Sequence, residues 1–193
     1  MQIIGLAGTN GSGKDTVGAI LSERHNFIFI SVTDLLRAEA QRRGLSVERE
    51  NLRDISAEWR REGGFGVLID KALELCEQSG AQVAGLAIAS LRHPGEADRV
   101  HELGGTVVWV DADQRLRYDR IQSNAESRGR AGEDNKTFEQ FVAEEEAEMY
   151  APPGADASVI RGADVKAKAD IFLINDGNDI EVFAGQVAST LGL

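Results

Sequence analysis

Glycine, lysine and hydroxyl side chains gather near the start of the chain at a spacing that can hold phosphate: Gly8-Thr9-Asn10-Gly11-Ser12-Gly13-Lys14-Asp15-Thr16, after the apolar run Ile3-Ile4-Gly5-Leu6-Ala7. A strand that breaks into glycines and then enters a helix leaves backbone N–H groups unpaired, with the positive end of the helix dipole behind them. Lys14 adds a mobile charge over the outer phosphates, and the glycines permit backbone angles and close approach that a Cβ would block. The spacing fits G-x-x-x-x-G-K, except that Asp15 follows the lysine and the hydroxyl comes one place later at Thr16. A plain glycine turn is the alternative. Strand, pattern and helix former in register favour nucleotide binding through Asn10, Gly11, Ser12, Gly13, Lys14, Asp15 and Thr16.

A phosphate socket does not say what happens to the outermost phosphate, so the arginines matter next. Of 21 basic residues, 16 are arginine, the side chain that grips phosphate with a planar fork. Four places stand out. Arg37 follows the second apolar run, one helical turn from Thr33 and beside Asp34, and Arg92 follows the third run. Arg117 and Arg120 lie one turn apart, and Arg128 with Arg130 occupies a glycine-flanked polar loop. Position at strand ends favours Arg37 and Arg92, whereas Arg53, Arg60 and Arg61 are expected to be solvated. The run Glu144-Glu145-Glu146 reads as the solvated face of a helix.

Five apolar runs must position these groups: Ile3 to Ala7, Phe27 to Ile30, Val83 to Ala89, Thr106 to Val110 and Ile171 to Ile174. Helical periodicity lies between them, over Thr16 to Ser22, Thr33 to Arg43, Val47 to Glu62, Val67 to Gln78, Pro94 to Leu103, Gln114 to Ser127 and Thr137 to Met149. A weak helix is expected over Asp156 to Arg161, and a last one over Glu181 to Leu191. Strands separated by helices imply an α/β fold with a five-stranded parallel sheet covered on both faces, and ligands across its C-terminal edge.

The chain of 193 residues is long enough for one sizeable core, and 42% apolar with 27% charged residues is the composition of a soluble globular protein. A net charge of -11 argues against general affinity for nucleic acid or an anionic membrane. No run approaches membrane-spanning length, and a cytoplasmic protein is expected. The lone Cys76 excludes an intramolecular disulfide and reads as a small core residue. Protein partners are not legible.

With these residues in place, the whole chain resembles the adenylate-kinase-like nucleoside and nucleotide monophosphate kinases and the nearby dephospho-coenzyme A kinases. Gly8 to Thr16 is similar to their G-x-P-G-x-G-K-G-T loop, and its G-K-D-T form resembles phage-type deoxynucleoside monophosphate kinases. Ser31 to Arg37 looks like S-x-G-D-x-L-R, Arg92 matches the arginine of D-G-F-P-R, and Asn175-Asp176-Gly177 is similar to the turn that passes the donor adenine. The resemblance implies a single three-layer P-loop NTPase domain with a helical acceptor-binding flap over 33–66 and a small lid region over 120–150. It also implies ATP and Mg²⁺ as cofactors, with Thr33, Asp34, Arg37 and Arg92 at the acceptor. Arg120, Arg128 and Arg130 would close on the transferring group, and Asn175 and Gly177 would meet the donor base. The implied reaction is γ-phosphoryl transfer to a (deoxy)nucleoside monophosphate; dephospho-coenzyme A, with Asp34 as base, and a nucleotide-dependent switch are the alternatives.

The departure is at the third strand's end, where Ala87-Ile88-Ala89-Ser90 replaces the aspartate that holds magnesium through water. Asp15 and Thr16 are the substitutes considered for the metal. Asp111 and Asp113 are further candidates, with a helix N-cap as the other reading of Asp113.

Overall fold

The computed structural model describes residues 1–124 and 136–193. In chain order it runs β1 (Gln2–Gly8), α1 (Lys14–His25), β2 (Phe27–Ser31), α2 (Val32–Arg42), α3 (Arg49–Gly63), α4 (Val67–Gln78), β3 (Gly85–Leu91) and α5 (Pro94–Glu102). It continues through β4 (Thr106–Asp111), α6 (Gln114–Ser123), α7 (Phe138–Met149), α8 (Gly162–Lys166), β5 (Ile171–Ile174) and α9 (Ile180–Leu191). The strands form one parallel sheet in the order β2-β3-β1-β4-β5.

The near-continuous apolar character of the strands follows from burial on both faces. Along β1, β3 and β4, Ile3, Ala7, Leu86, Ile88, Val107 and Trp109 point to one face, where α2, α3, α4, α5 and α8 pack. Their neighbours Ile4, Leu6, Ala87, Ala89, Val108 and Val110 point to the other, under α1 and α9. Cys76 is a buried member of the first layer. Because every strand is parallel, all C-terminal ends meet at one edge, and the loop after β1 emerges between β3 and β4.

Two expected elements differ. No helix forms over 156–161; Asp156 Oδ1 instead accepts from Ser158 N at 2.9 Å, which closes a turn, and the short helix starts at Gly162. Strand β3 begins at Gly85 and runs on to Leu91, with a register shift against Leu6/Ala7 where Ser90 takes φ 72.

Candidate functional site

At the end of β1 the chain turns through Gly11 at φ 79 and Gly13 at φ 97, the left-handed region where a side chain is strained. A Cβ on Gly13 would also lie 2.3 Å from Asn175 Nδ2. Lys14 opens α1 and is 7% exposed, and Asp15 and Thr16 line the same cavity. The loop is held from two sides. Arg117, buried beneath it, donates Nη1 to Asn10 O at 3.2 Å and Nε to Ala112 O at 2.9 Å. Asn175 donates Nδ2 to Ser12 O at 3.0 Å, and its own N–H reaches Asp111 O at 2.8 Å. Ser12 Oγ is buried with no hydrogen-bond partner among the described residues, an unspent polar atom in a cradle of left-handed glycines. These residues fit a bound phosphate chain.

The cavity that the loop opens onto has a volume of about 620 Å³ and is lined by seven basic and three acidic side chains: Lys14, Arg37, Arg49, Arg53, Arg60, Arg92 and Arg120 against Asp15, Glu148 and Asp179. A protein of net charge -11 thus concentrates positive charge at one place. Helix α2 brings Thr33 and Arg37, and the end of β3 brings Ser90 and Arg92. Helix α3 adds a wall that the sequence reading missed, since Arg49, Arg53, Ser56 and Arg60 recur at i, i+4, i+7 and i+11 on one face. Ile55 and Trp59 pack into the core instead, and Leu52 borders both core and cavity.

From α7, Glu148 enters this wall and pairs with Arg92 at 2.6 Å, Arg49 at 3.0 Å and Arg53 at 3.4 Å. Burial opposes its ionisation, but the three arginines outweigh that and hold the carboxyl down to about 2. Arg92 is pushed up in turn, chiefly by Glu148. At the other end of the cavity, Arg120 donates to Asn175 O at 2.8 Å and Gly177 O at 2.5 Å, so it fixes the turn after β5. Asn178, Ile180 and Phe183 complete that end.

Several expected sites lie elsewhere. Asp34 is exposed, paired with Arg37 at 2.9 Å, and does not line the cavity. Asp111 receives Trp109 Nε1 at 3.2 Å and Lys166 Nζ at 3.2 Å, and Asp113 caps α6 by accepting from Leu116 N at 3.0 Å. Both carboxylates thus have structural partners, and neither lines the cavity. Arg128 and Arg130 lie outside the described residues. Arg60, expected in solvent, is buried and donates to Glu96 Oε1 at 2.6 Å and Ser158 O at 3.0 Å. Two residues of the acidic run of α7 are likewise engaged, Glu145 with Arg117 and Glu144 with Lys136 and with Arg49 at 3.2 Å, while Glu146 is exposed as expected. Among the described residues, no three His, Cys, Asp or Glu side chains gather as a metal site, and no helix is long and apolar enough to cross a membrane.

A family described as an AAA domain matches residues 4–148. The chain is 30% identical to a UPF0200 protein of Hyperthermus butylicus over 90% of this chain and 85% of that one. It is 29% identical to a UPF0200 protein of Pyrobaculum aerophilum over 99% and 97%. Among solved structures, shikimate kinase from Bacteroides thetaiotaomicron superposes with TM-score 0.57 at 14% identity, covering 100% of this chain and 99% of that one. Shikimate kinase from Acinetobacter baumannii, in complex with shikimate, gives 0.52 at 17%, over 99% and 93%. Matching sequence over this length, and the parallel sheet with its glycine loop and arginine-lined cavity, lead to one assignment: the chain belongs to the AAA domain family and is one of the UPF0200 proteins, built on the fold of P-loop kinases.

Proposed function

We propose that this protein is an ATP-dependent phosphotransferase that moves the γ-phosphoryl group to a small anionic acceptor, a (deoxy)nucleoside monophosphate being the class tested first. One observation carries the reading: the phosphate loop and a second arginine cluster face each other across one cavity. Phosphoryl transfer needs two anions held in line, charge neutralised on the moving group and water kept out, with little covalent help from protein. Lys14 and the N–H groups of the loop would grip the donor phosphates. Arg37 and Arg92 would hold the acceptor, and Arg120, bound to the turn after β5, would act at the donor end, where Asn175 and Gly177 would pass the base. Thr16 and Asp15, which line the cavity beside Lys14, would hold magnesium, which when bound with ATP would neutralise the outer phosphate oxygens. Arg128 and Arg130 remain proposed closers on sequence grounds.

Dephospho-coenzyme A offers a hydroxyl rather than a phosphate as nucleophile, and Asp34, outside the cavity and bound to Arg37, gives that reading no base. The test measures ADP release from ATP with ribo- and deoxyribonucleoside monophosphates, dephospho-coenzyme A and shikimate. Acceptor-stimulated turnover that drops at least about 100-fold in Arg92→Ala supports the proposal. Tight nucleotide binding with no stimulation by any acceptor would make the protein a switch and end it.

A further inference from the structure

The acceptor half of the cavity contains a negative charge that a simple phosphate clamp does not need. Glu148 Oε2 forms an ion pair with Arg92 Nη1 at 2.6 Å, while Oε1 accepts from Arg49 at 3.0 Å and from Arg53 at 3.4 Å. A carboxylate has about four lone-pair positions, and among the described residues two hydrogen-bond donors occupy them, both on Oε1 and the second at long range. The side chain keeps 15% of its surface exposed and lines the cavity. Among the described residues, acceptor capacity on Glu148 therefore remains for a ligand.

An ionised oxygen in that position repels an incoming phosphate or carboxylate oxygen and rewards a hydrogen-bond donor. An amine would supply a donor, but as a cation it would face Arg49, Arg53 and Arg92. A hydroxyl carries no such penalty. We infer that the acceptor is a hydroxylated anion, in which Glu148 accepts a hydrogen bond from a hydroxyl while Arg92, Arg49 and Arg53 hold the neighbouring phosphate or carboxylate. Glu148 is a specificity residue in this arrangement and not a base, because three guanidinium groups hold its proton affinity too low to take one from an alcohol. The inference rests on reading this cavity as an acceptor site, and it adds the chemical class.

Binding of D-ribose 5-phosphate and of pentyl phosphate, matched in chain length and in the phosphate monoester, tests it by calorimetry on the full chain without nucleotide. The wild type should bind the sugar phosphate at least about 10-fold more tightly, since a buried group built to meet a hydroxyl is left unpaired by the analogue that lacks it. Glu148→Ala should bring the two affinities to within about twofold, largely by tightening pentyl phosphate, and Glu148→Gln, which keeps a neutral acceptor, should fall between. Thermal unfolding of both variants checks that they fold. Equal binding by the wild type, binding of neither compound at millimolar concentration, or an unchanged preference in both variants overturns the inference. Hydroxyl-dependent binding without acceptor-stimulated ADP release would leave it standing and remove the kinase reading; turnover without hydroxyl preference would do the reverse.

Discussion

Lys14, a cation that is 7% exposed at the first position of α1, is the side chain on which the proposed grip on the donor phosphates depends. Lys14→Met keeps the aliphatic stem and removes the charge, so nucleotide affinity by fluorescence titration should fall by about two orders of magnitude while the fold persists. Asp15 poses a different question, since it lines the cavity next to Lys14 and adds to the field at Arg92. Should it help to hold magnesium, Asp15→Asn shifts the magnesium dependence of turnover about 10-fold to higher concentration. An unmoved dependence would leave Asp15 as a favourable charge at a helix N-terminus and nothing more. The glycine loop between β1 and α1 was legible because its signal is local: glycine spacing, a lysine and a strand all fall within one short window. Arg49, Arg53 and Glu148 were not, because Arg53 and Glu148 meet across 95 positions of chain, which no local periodicity encodes. The polar stripe of α3 was visible in the letters, yet surface arginines at helical spacing read equally well as solvated.

At the level of elements, α3 and α5 are joined by a buried ion pair that also holds the backbone of Arg92, a cavity-lining residue. Arg60 binds Glu96 Oε1 at 2.6 Å, and Glu96 Oε2 receives the backbone N–H of Arg92 at 2.8 Å and of His93 at 3.1 Å. Removing one partner of such a pair strands a charge in the interior, so Arg60→Met should cost about 3–5 kcal/mol in denaturant unfolding and loosen Arg92 with it. His93 caps the same helix, its Nδ1 accepting from Gly95 N at 3.1 Å and its Nε2 donating to Ala157 O at 2.8 Å. That geometry needs the neutral ring, and burial above all pushes its pKa below the ordinary 6.5. A lowered histidine supports the fold fully above its unfolded pKa and loses that support as pH falls below it. Stability should therefore decline by on the order of 1 kcal/mol between about pH 7 and pH 5, and His93→Asn, which retains a capping acceptor, should flatten the decline in parallel urea titrations. The capping role was hidden in the sequence because Ser90-Leu91-Arg92-His93-Pro94 points first to its arginine.

For the whole molecule, the sheet was readable as five apolar runs because burial on both faces removes polar positions from the strands. The misplaced helix at 156–161 fell in a stretch whose order comes from Arg60 and Asp156, contacts that no hydrophobic pattern announces. The cavity draws its walls from α1, α2, α3, α7, β3 and the turn after β5, so a ligand that bridges them stabilises the fold as a unit. ATP at about 100 times its dissociation constant should add about 2.7 kcal/mol and raise the melting temperature by roughly 5–10 °C, an increment absent from Lys14→Met.

The tie between Asn175 and Ser12 also sets a timetable. One end of the phosphate loop's support is made in the first dozen residues and the other only after β5. During synthesis, β1 and its glycines leave the ribosome long before the residue that braces them, so a nascent chain carries the nucleotide signature well ahead of the nucleotide site. Ribosome-bound chains should fail to retain an ATP analogue until the segment through Gly177 has cleared the exit tunnel. Retention by chains that expose only β1 to β4 would show that the brace refines the loop without making it.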